Sequence, residues 1–268
     1  MPIIAVIADI HIGHRAAMWP EDYTDIEGKH VEPSKPQKLL NEYWHDYWTS
    51  PEAKDAEYVL NLAESIEGNN RKEYGRSLIE ADLDLQANAF VYAIKDYIKG
   101  KRYISLTGSG YHGSLDSQVE SGIAKQLRLK ENGSINAECF GDIANLKFPS
   151  GHVIWATHKG GDAMLYRSTM LDRNSLYMSA IKSKLQQDPD VLLYGHHHKY
   201  FRVDTESRIN IMAPTWKLWH PIKGAAKFMY TQPTIGGLFF KLPDNHGGIE
   251  VVRKFYKLEH LYSALKKV

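Results

Sequence analysis

The sequence has one cysteine, no long apolar run and almost no net charge, and each scarcity excludes a class of protein. With only Cys139, no internal disulfide can form. No apolar run approaches the roughly 20 residues that span a bilayer, so we expect no membrane partner. A formal net charge of +1 gives no global attraction to nucleic acid, although it is compatible with a local basic patch.

The apolar stretch over residues 3–8 predicts a buried strand rather than a secretion signal. Signal sequences carry basic residues before the apolar region, which this stretch lacks, and Asp9 ends it early. We therefore expect a cytoplasmic protein. The 268 residues are 43% hydrophobic and 24% charged, which suits a packed core, and we predict a single domain over 1–268.

Residues 14–57 form an insertion rich in Trp and Tyr between the first two apolar runs. Its first part, residues 14–35, contains turn-forming residues and is expected to be a loop. Residues 37–54 predict a helix with an aromatic stripe, which we interpret as a core face; a stacking surface for bases is the alternative. Because the insertion follows a candidate ligand, it could also form a lid or rim over a site.

Five apolar runs end at their C-terminal side in residues that bind metals or transfer protons. In chain order these residues are Asp9 with His11, Glu64, His112, His158, and His196 with His198. Open α/β sheets place ligand sites at the carboxyl ends of their strands, so the pattern predicts one shared metal site. Alternation along an extended backbone predicts that His196 and His198 point one way and His197 the other.

The ligand types indicate the chemistry of this site. Imidazoles and carboxylates without a cysteine suit Zn, Mn or Fe rather than a structural thiolate zinc. The ligands are too many for one catalytic ion with open positions, but they suit two ions about 3.5–4 Å apart that share a carboxylate. Such a pair can hold a hydroxide nucleophile and neutralise phosphate oxygens, which is the chemistry of phosphoester hydrolysis.

The ordered motifs resemble those of the calcineurin-like metallophosphoesterases over residues 3 to about 215. The matching positions are Asp9-x-His11-x-Gly13, Glu64, Gly108 followed by His112, His158, and Gly195-His196-x-His198. The resemblance implies a four-layer α/β/β/α sandwich of two mixed β-sheets flanked by helices, with the segment after residue 200 in the second sheet. The Gly-Ser-x-x-His form is similar to phage and prophage members, which implies a viral or mobile-element origin.

The resemblance also implies a role for each of these residues. It gives two groups of metal ligands that share a bridging carboxylate: Asp9, His11 and His198 for one ion, His158 and His196 for the other, and Glu64 for both. His112 would be the general acid that protonates the leaving oxygen, or would stabilise charge on the phosphoryl group.

Two positions depart from the family pattern. Ala63-Glu64 stands where the family has Gly-Asp, so the bridging acid is one methylene longer. The family's Gly-Asn-His is replaced by a segment with Ser109 in place of the asparagine, so we expect the second metal to bind loosely. Ser109 is the nearest substitute ligand, and Asn69 or Asn70 is the alternative.

These motifs predict a metal-dependent phosphoesterase that favours phosphodiesters over phosphomonoesters, with nucleotides or nucleic acid among its substrates. The alternative is a degenerate member that binds metal or a partner without turnover, because Ala63-Glu64 and Ser109 depart from the pattern. A third hypothesis is a nucleic-acid-binding module that uses the aromatic insertion, with salt-dependent and metal-independent binding.

Further predictions concern residues and elements around these motifs. We expect His14 to be a solvated loop histidine, Glu120 a capping or surface acid, and Cys139 a small buried residue. Arg15 and Lys159 lie beside candidate ligands and could neutralise phosphate; the alternative is that each is a surface charge. We predict helices over 79–98, 116–128 and 172–187, and an antiparallel ribbon over 135–157.

Overall fold

The computed structural model describes residues 1–112, 118–130, 132–161, 167–181, 188–218 and 232–258. The strands are β1 (Ile3–Ile7), β2 (Tyr58–Asn61), β3 (Arg102–Ser105), β4 (Asn136–Cys139), β5 (Ile143–Lys147), β6 (Val153–Thr157), β7 (Val191–Tyr194), β8 (Phe201–Asp204), β9 (Ile209–Met212), β10 (Ile235–Lys241) and β11 (Glu250–Tyr256). The α-helices are α1 (Lys35–Thr49), α2 (Pro51–Asp55), α3 (Leu83–Ile94), α4 (Gln118–Lys130) and α5 (Arg167–Ile181).

The strands form two mixed sheets, as predicted. The six-stranded sheet has the order β11-β10-β1-β2-β3-β4, and the five-stranded sheet has the order β5-β6-β7-β9-β8. In the first sheet β1 to β4 are parallel and β10 and β11 are antiparallel additions. In the second, β6, β7 and β9 are parallel and the two outer strands are antiparallel.

The side chains of β1 show how the layers pack. Ile3, Ala5 and Ile7 pack among the helices, whereas Ile4 and Val6 pack between the two sheets. Helices α1, α2 and α4 contact the first sheet, and α5 contacts β8 and β9 of the second. The described residues therefore confirm the α/β/β/α order of layers.

The aromatic stripe of the insertion is part of the core. Trp44, Tyr47 and Trp48 are buried on the face of α1 that packs on the first sheet. The ring of Tyr47 stacks on Phe239 with centroids 4.7 Å apart, and its hydroxyl lies 3.1 Å from the carbonyl of Leu238. Because these side chains are buried, they cannot stack on bases. The prediction of a lid or rim over the site remains only for the loop before α1.

The predicted ribbon over 135–157 was wrong at its first strand. Strand β4 pairs in parallel with β3 in the first sheet, and only β5 and β6 form an antiparallel pair in the second. The chain crosses from the first sheet to the second between β4 and β5, where the backbone N–H of Thr107 donates to the carbonyl of Gly141 and its hydroxyl donates to Asp142. The segment after residue 200 likewise serves both sheets, since β10 and β11 return to the first.

The predicted helices are shifted at their ends. The helix over 79–98 begins at Leu83, because the carboxylate of Asp82 accepts the N–H groups of Asp84 and Leu85 and caps it. The other two predictions correspond to α4 and α5, while residues 113–117 and 182–187 lie outside the described residues. Within the described part of the chain, no helix is long and apolar enough to cross a membrane.

Candidate metal centre

The loops that follow β1, β2, β6 and β7 bring the predicted ligands to one end of the sandwich. Two clusters result, in each of which the donor atoms lie within 4.8 Å of one another. The first cluster contains Asp9, His11, Glu64 and His198, and the second contains Glu64, His158 and His196. The structure therefore brings all the predicted ligands together, and it gives Glu64 to both clusters.

The ligand loops turn sharply through left-handed backbone conformations. Five ligand residues have positive φ, between 53° and 72°: Asp9, His11, Glu64, His196 and His198. Residues other than glycine adopt this conformation uncommonly, and clusters of them occur at functional sites. The expected extended backbone at 196–198 was wrong, because β7 ends at Tyr194 and the chain turns at each of these histidines.

The turn sends the three adjacent histidines to different places. His198 enters the first cluster and His196 the second. The Nε2 atom of His197 instead lies 3.1 Å from the carbonyl of Gly161. The prediction that His197 does not join the ligands agrees with this arrangement, although the reason is a turn rather than strand alternation.

The first cluster has the spacing of ligands around one ion. The Nε2 atoms of His11 and His198 are 3.1 Å apart. Nε2 of His11 lies 3.2 Å from Oε2 of Glu64, and Nε2 of His198 lies 3.3 Å from Oδ1 of Asp9. Ligand atoms about 2.1 Å from a common ion lie ~3.0–3.4 Å from each other at near-tetrahedral or octahedral angles, so these residues fit a divalent metal.

The second cluster also presents lone pairs to a common point. Nδ1 of His158 lies 2.7 Å from the carbonyl oxygen of Leu62, which can only accept, so the ring proton is on Nδ1. The other ring atom, Nε2, then faces Oε1 of Glu64 at 2.9 Å as a second acceptor. Two buried acceptors at this distance fit a cation between them.

Ser109, which stands where the family pattern has an asparagine, contacts the carboxylate of Glu64. The hydroxyl of Ser109 donates to Oε1 of Glu64 at 2.6 Å, and its N–H lies 3.3 Å from the same oxygen. The side chain of Asn70 donates to Glu67 and Glu73 instead. Ser109 thus orients the carboxylate of Glu64, and Asn70 is engaged with other carboxylates.

The carboxylates and the histidines of the two clusters shift each other's pKa values. Burial alone would raise the pKa of Asp9 and of Glu64, but the facing histidines outweigh burial and hold both pKa values well below the usual range. Burial alone would lower the pKa of His11 and His158, but the same carboxylates raise these values to about 10 and about 9. Without metal, His11 and His158 would therefore be protonated at pH 7, and their protons would lie where the clusters suit cations.

The predicted proton donor, His112, lies beside the first cluster. Its Nδ1 is 2.7 Å from the carbonyl oxygen of Glu67, and its Nε2 is 3.8 Å from Oε2 of Glu64. Its ring meets that of His11 edge to face, with centroids 4.5 Å apart. Burial lowers the pKa of His112 to about 4, so the ring is neutral at pH 7 with Nε2 directed at the centre.

Two residues behind His11 were missed in the sequence. Oε2 of Glu67 lies 2.9 Å from Nδ1 of His11 and 2.7 Å from Nζ of Lys217. Glu67 follows Glu64 by three residues, and that spacing of two acids after a strand was the available signal. No sequence pattern indicated Lys217, because its position beside Glu67 depends on a loop. This loop is held by the Trp216 N–H and the Thr215 hydroxyl, which both donate to the carbonyl of Asp9.

The expectation of a solvated His14 was wrong. Its side chain is buried, and its Nδ1 accepts the N–H of Ala16 at 2.9 Å. The cause is the pairing of His14 with Leu78, which covers the loop after β1.

The expectation of a capping or surface Glu120 was also wrong. Its carboxylate is buried and accepts the N–H and the hydroxyl of Ser65 at 2.9 and 2.8 Å. Glu120 shares the buried face of α4 with Ile123, Ala124 and Leu127, and this helical spacing was the available signal. Cys139 is only partly buried.

Comparison with known proteins gives distant structural likenesses only. No family model matches the chain, and no curated protein matches it. An archaeal phosphodiesterase is 13% identical over 94% of this chain and 99% of that chain, with a TM-score of 0.44. A zinc complex of Vps29 from Entamoeba histolytica is 13% identical over 95% of this chain and 99% of that chain, with a TM-score of 0.43.

A third likeness is to a 5'-nucleotidase candidate from Staphylococcus aureus in complex with alpha-ketoglutarate. It is 9% identical and covers 94% of this chain but 52% of that chain, with a TM-score of 0.41. None of these likenesses assigns the chain to a family. The chain folds into a sandwich of two mixed sheets with buried clusters that could hold a divalent metal.

Proposed function

We propose that the chain is a metal-dependent phosphoesterase of the calcineurin-like type with a dinuclear metal centre. The observation that carries this proposal is the position of Glu64, whose Oε2 faces His11 at 3.2 Å and whose Oε1 faces His158 at 2.9 Å. One carboxylate directed at two histidine clusters suits two neighbouring ions of Mn, Zn or Fe. Bound ions would neutralise phosphate oxygens and activate water for attack on phosphorus.

The residues around the clusters would orient the reacting groups. The backbone N–H of His196 donates to Oδ2 of Asp9 at 2.9 Å, which fixes that carboxylate. His112 is fixed by the Glu67 carbonyl through Nδ1–H, so the neutral ring presents the lone pair of Nε2; this atom would first take up a proton from water at the centre and then pass it to the leaving oxygen. This atom lies 3.8 Å from Oε2 of Glu64, beside the ligands of the first cluster.

We propose phosphodiesters, including nucleotides or nucleic acid, as the favoured substrates. The loop after Glu67 carries Arg71 and Arg76, both exposed, and Tyr74, which is 87% exposed with a φ of 54°. Hydrogen bonds of 2.8 Å from Arg15 N–H to Ser77 and from Ile79 N–H to Gly13 join this loop to the one that carries His11. Cations around an exposed aromatic ring suit a charged backbone that bears bases.

Hydrolysis of bis-p-nitrophenyl phosphate and p-nitrophenyl phosphate tests the proposal. After chelation and reloading with Mn, Zn or Fe(II), we expect turnover of the diester to exceed that of the monoester. His112→Ala and His196→Ala should each reduce turnover about 100-fold or more. His246→Ala is the matched control, because His246 contacts Asp190 at the opposite end of the sheet.

The second candidate is a protein that binds metal without turnover. Ser109 supports it, because a hydroxyl that donates to Glu64 stands where the family has a metal ligand. Two bound ions without hydrolysis of either substrate would establish this candidate and refute the enzyme. A phage or prophage origin, a cytoplasmic location and a single domain over 1–268 remain predictions.

A further inference from the structure

A third group of ligand-type side chains lies directly behind the first cluster. His11, Glu67 and His112 offer donor atoms within 4.8 Å of one another, so by spacing alone they could hold another ion. An ion there would contact both His11, a proposed metal ligand, and His112, the proposed proton donor. An ion can bind only if the nitrogen and oxygen atoms of this group present free lone pairs to it.

The ring nitrogens that face this group carry protons rather than lone pairs. Nδ1 of His112 is 2.7 Å from the carbonyl oxygen of Glu67, and because a carbonyl only accepts, the proton is on Nδ1. If His11 gives Nε2 to the first cluster, its Nδ1 must carry the proton as well, and this atom lies 2.9 Å from Oε2 of Glu67. These nitrogens offer no lone pair while they keep their protons, so an ion could bind here only in exchange for a ring proton.

The single carboxylate of the group is already neutralised by an ammonium. Nζ of Lys217 lies 2.7 Å from Oε2 of Glu67, and Asn70 donates to the other oxygen at 3.0 Å. The side chain of Lys217 is 13% exposed and that of Glu67 is 3% exposed, so water screens this pair weakly. Lys217 therefore already supplies the positive charge to the carboxylate oxygen that an ion in this group would need.

The backbone holds Lys217 in this position. Its N–H donates to the Thr215 hydroxyl at 3.1 Å, and the N–H of Leu218 donates to the carbonyl of Ala16 at 2.8 Å. Thr215 also bonds the Asp9 carbonyl, so the lysine segment is fixed to the loop that carries Asp9 and His11. The ammonium is placed by the fold rather than by a chance surface contact.

We infer that Lys217 is an internal cation that closes the third group to metal ions, so that His112 stays free of metal and His11 keeps Nε2 for the first cluster. The inference rests on the proposed function only in assuming that ions bind the first two clusters. Removal of the ammonium would leave a buried carboxylate without a counter-charge, which is costly and favours capture of another cation. Lys217 is thus a positioning residue that sets the number of ions.

Counting bound metal tests this inference without any activity assay. Full-length protein and variants are dialysed against Mn²⁺ until the wild-type count saturates, and bound metal is measured by mass spectrometry. We expect Lys217→Met and Lys217→Gln to bind one more ion per chain than the wild type. Lys217→Arg keeps the positive charge and should bind the wild-type number, as should the double variant Lys217→Met with Glu67→Gln.

The matched control is Lys241→Met, because Lys241 also pairs with a glutamate, Glu250, but at the opposite end of the first sheet. Circular dichroism checks that each variant is folded. Equal counts in the wild type and in both neutral variants would overturn the inference while leaving the proposed function intact. A wild type that binds no ion would instead refute the proposed function.

Discussion

Glu120 is a buried acid whose hydrogen bonds support the turn that carries Glu64. It accepts both hydrogen bonds that Ser65 can donate, and Ser65 directly follows Glu64. The hydroxyl of Ser65 also accepts from Asn61 at 2.7 Å, and Asn61 donates to the Tyr103 hydroxyl at 2.8 Å. This buried network supports the turn in which Glu64 has positive φ.

Burial raises the pKa of Glu120 from 4.5 to about 7, which predicts a pH dependence of stability. Between these values the folded protein keeps the proton and the unfolded chain releases it. The free energy of unfolding therefore falls as pH rises from about 4.5 to 7, by roughly 2–3 kcal/mol. Glu120→Gln should remove this contribution.

Urea denaturation of metal-free protein at pH 5, 6, 7 and 8 measures the effect. The difference in unfolding free energy between the wild type and Glu120→Gln should shift in favour of the variant as pH rises. Glu138→Gln, which changes an exposed acid on β4, is the control. Parallel pH profiles for the wild type and Glu120→Gln would contradict the prediction.

The positions of single residues could be predicted where a local sequence pattern indicated them. The candidate ligands Asp9, His158 and His196 follow apolar runs, so their position at strand ends could be predicted from the sequence. Lys217 could not, because its partner Glu67 lies 150 positions away and only the folded loops bring them together. Burial of His14 likewise depends on a pairing with Leu78 that no local pattern encodes.

At the scale of elements, the loop after β2 depends on Gly68. Its φ is 75°, and a Cβ at this position would lie 2.0 Å from the carbonyl oxygen of His112. We expect Gly68→Ala to lower the free energy of unfolding by about 2–4 kcal/mol and to reduce turnover, because the backbone of His112 must move. Urea denaturation and hydrolysis of bis-p-nitrophenyl phosphate measure the two effects.

Gly28→Ala is the matched control for this prediction. Gly28 has a φ of 80°, but a Cβ there would meet no atom within 4 Å. We expect a cost of about 1 kcal/mol from backbone strain alone, with turnover unchanged. Equal losses of stability in both variants would show that contact with His112 is unimportant.

Most elements, but not their partners, could be predicted from periodicity. The aromatic spacing of α1 predicted its core face, since Trp44 and Tyr47 share one side of a helix. The alternation of β4 predicted a strand, yet alternation is the same whichever sheet a strand joins. The parallel pairing of β4 with β3 is decided by long-range contacts, which a local pattern does not contain.

At the scale of the whole molecule, the candidate metal centre joins the two sheets. Asp9 and Glu64 follow strands of the first sheet, whereas His158, His196 and His198 follow strands of the second. Ions bound only by the folded state stabilise it, by about 2.7 kcal/mol for one site at 100 times Kd. We expect chelation to lower Tm by roughly 5–10 °C in a chain of this size.

Thermal unfolding with Mn²⁺ and with a chelator measures this shift. Glu64→Gln removes a carboxylate charge from both clusters, so its Tm should respond little to the chelator. Lys241→Met should respond like the wild type, because it leaves both clusters intact. A wild-type Tm that does not change on chelation would contradict stabilisation by metal.

The left-handed turns at the ends of β1 and β7 have a topological consequence. They bring Asp9 and His198 together across 189 positions, so an ion held by both would close a loop of most of the chain. Closing a long loop removes entropy from the unfolded chain, as a disulfide does. In a chain with one cysteine, the metal centre would be the cross-link between the layers. It would form and break as the metal concentration changes, whereas a disulfide responds to the redox state.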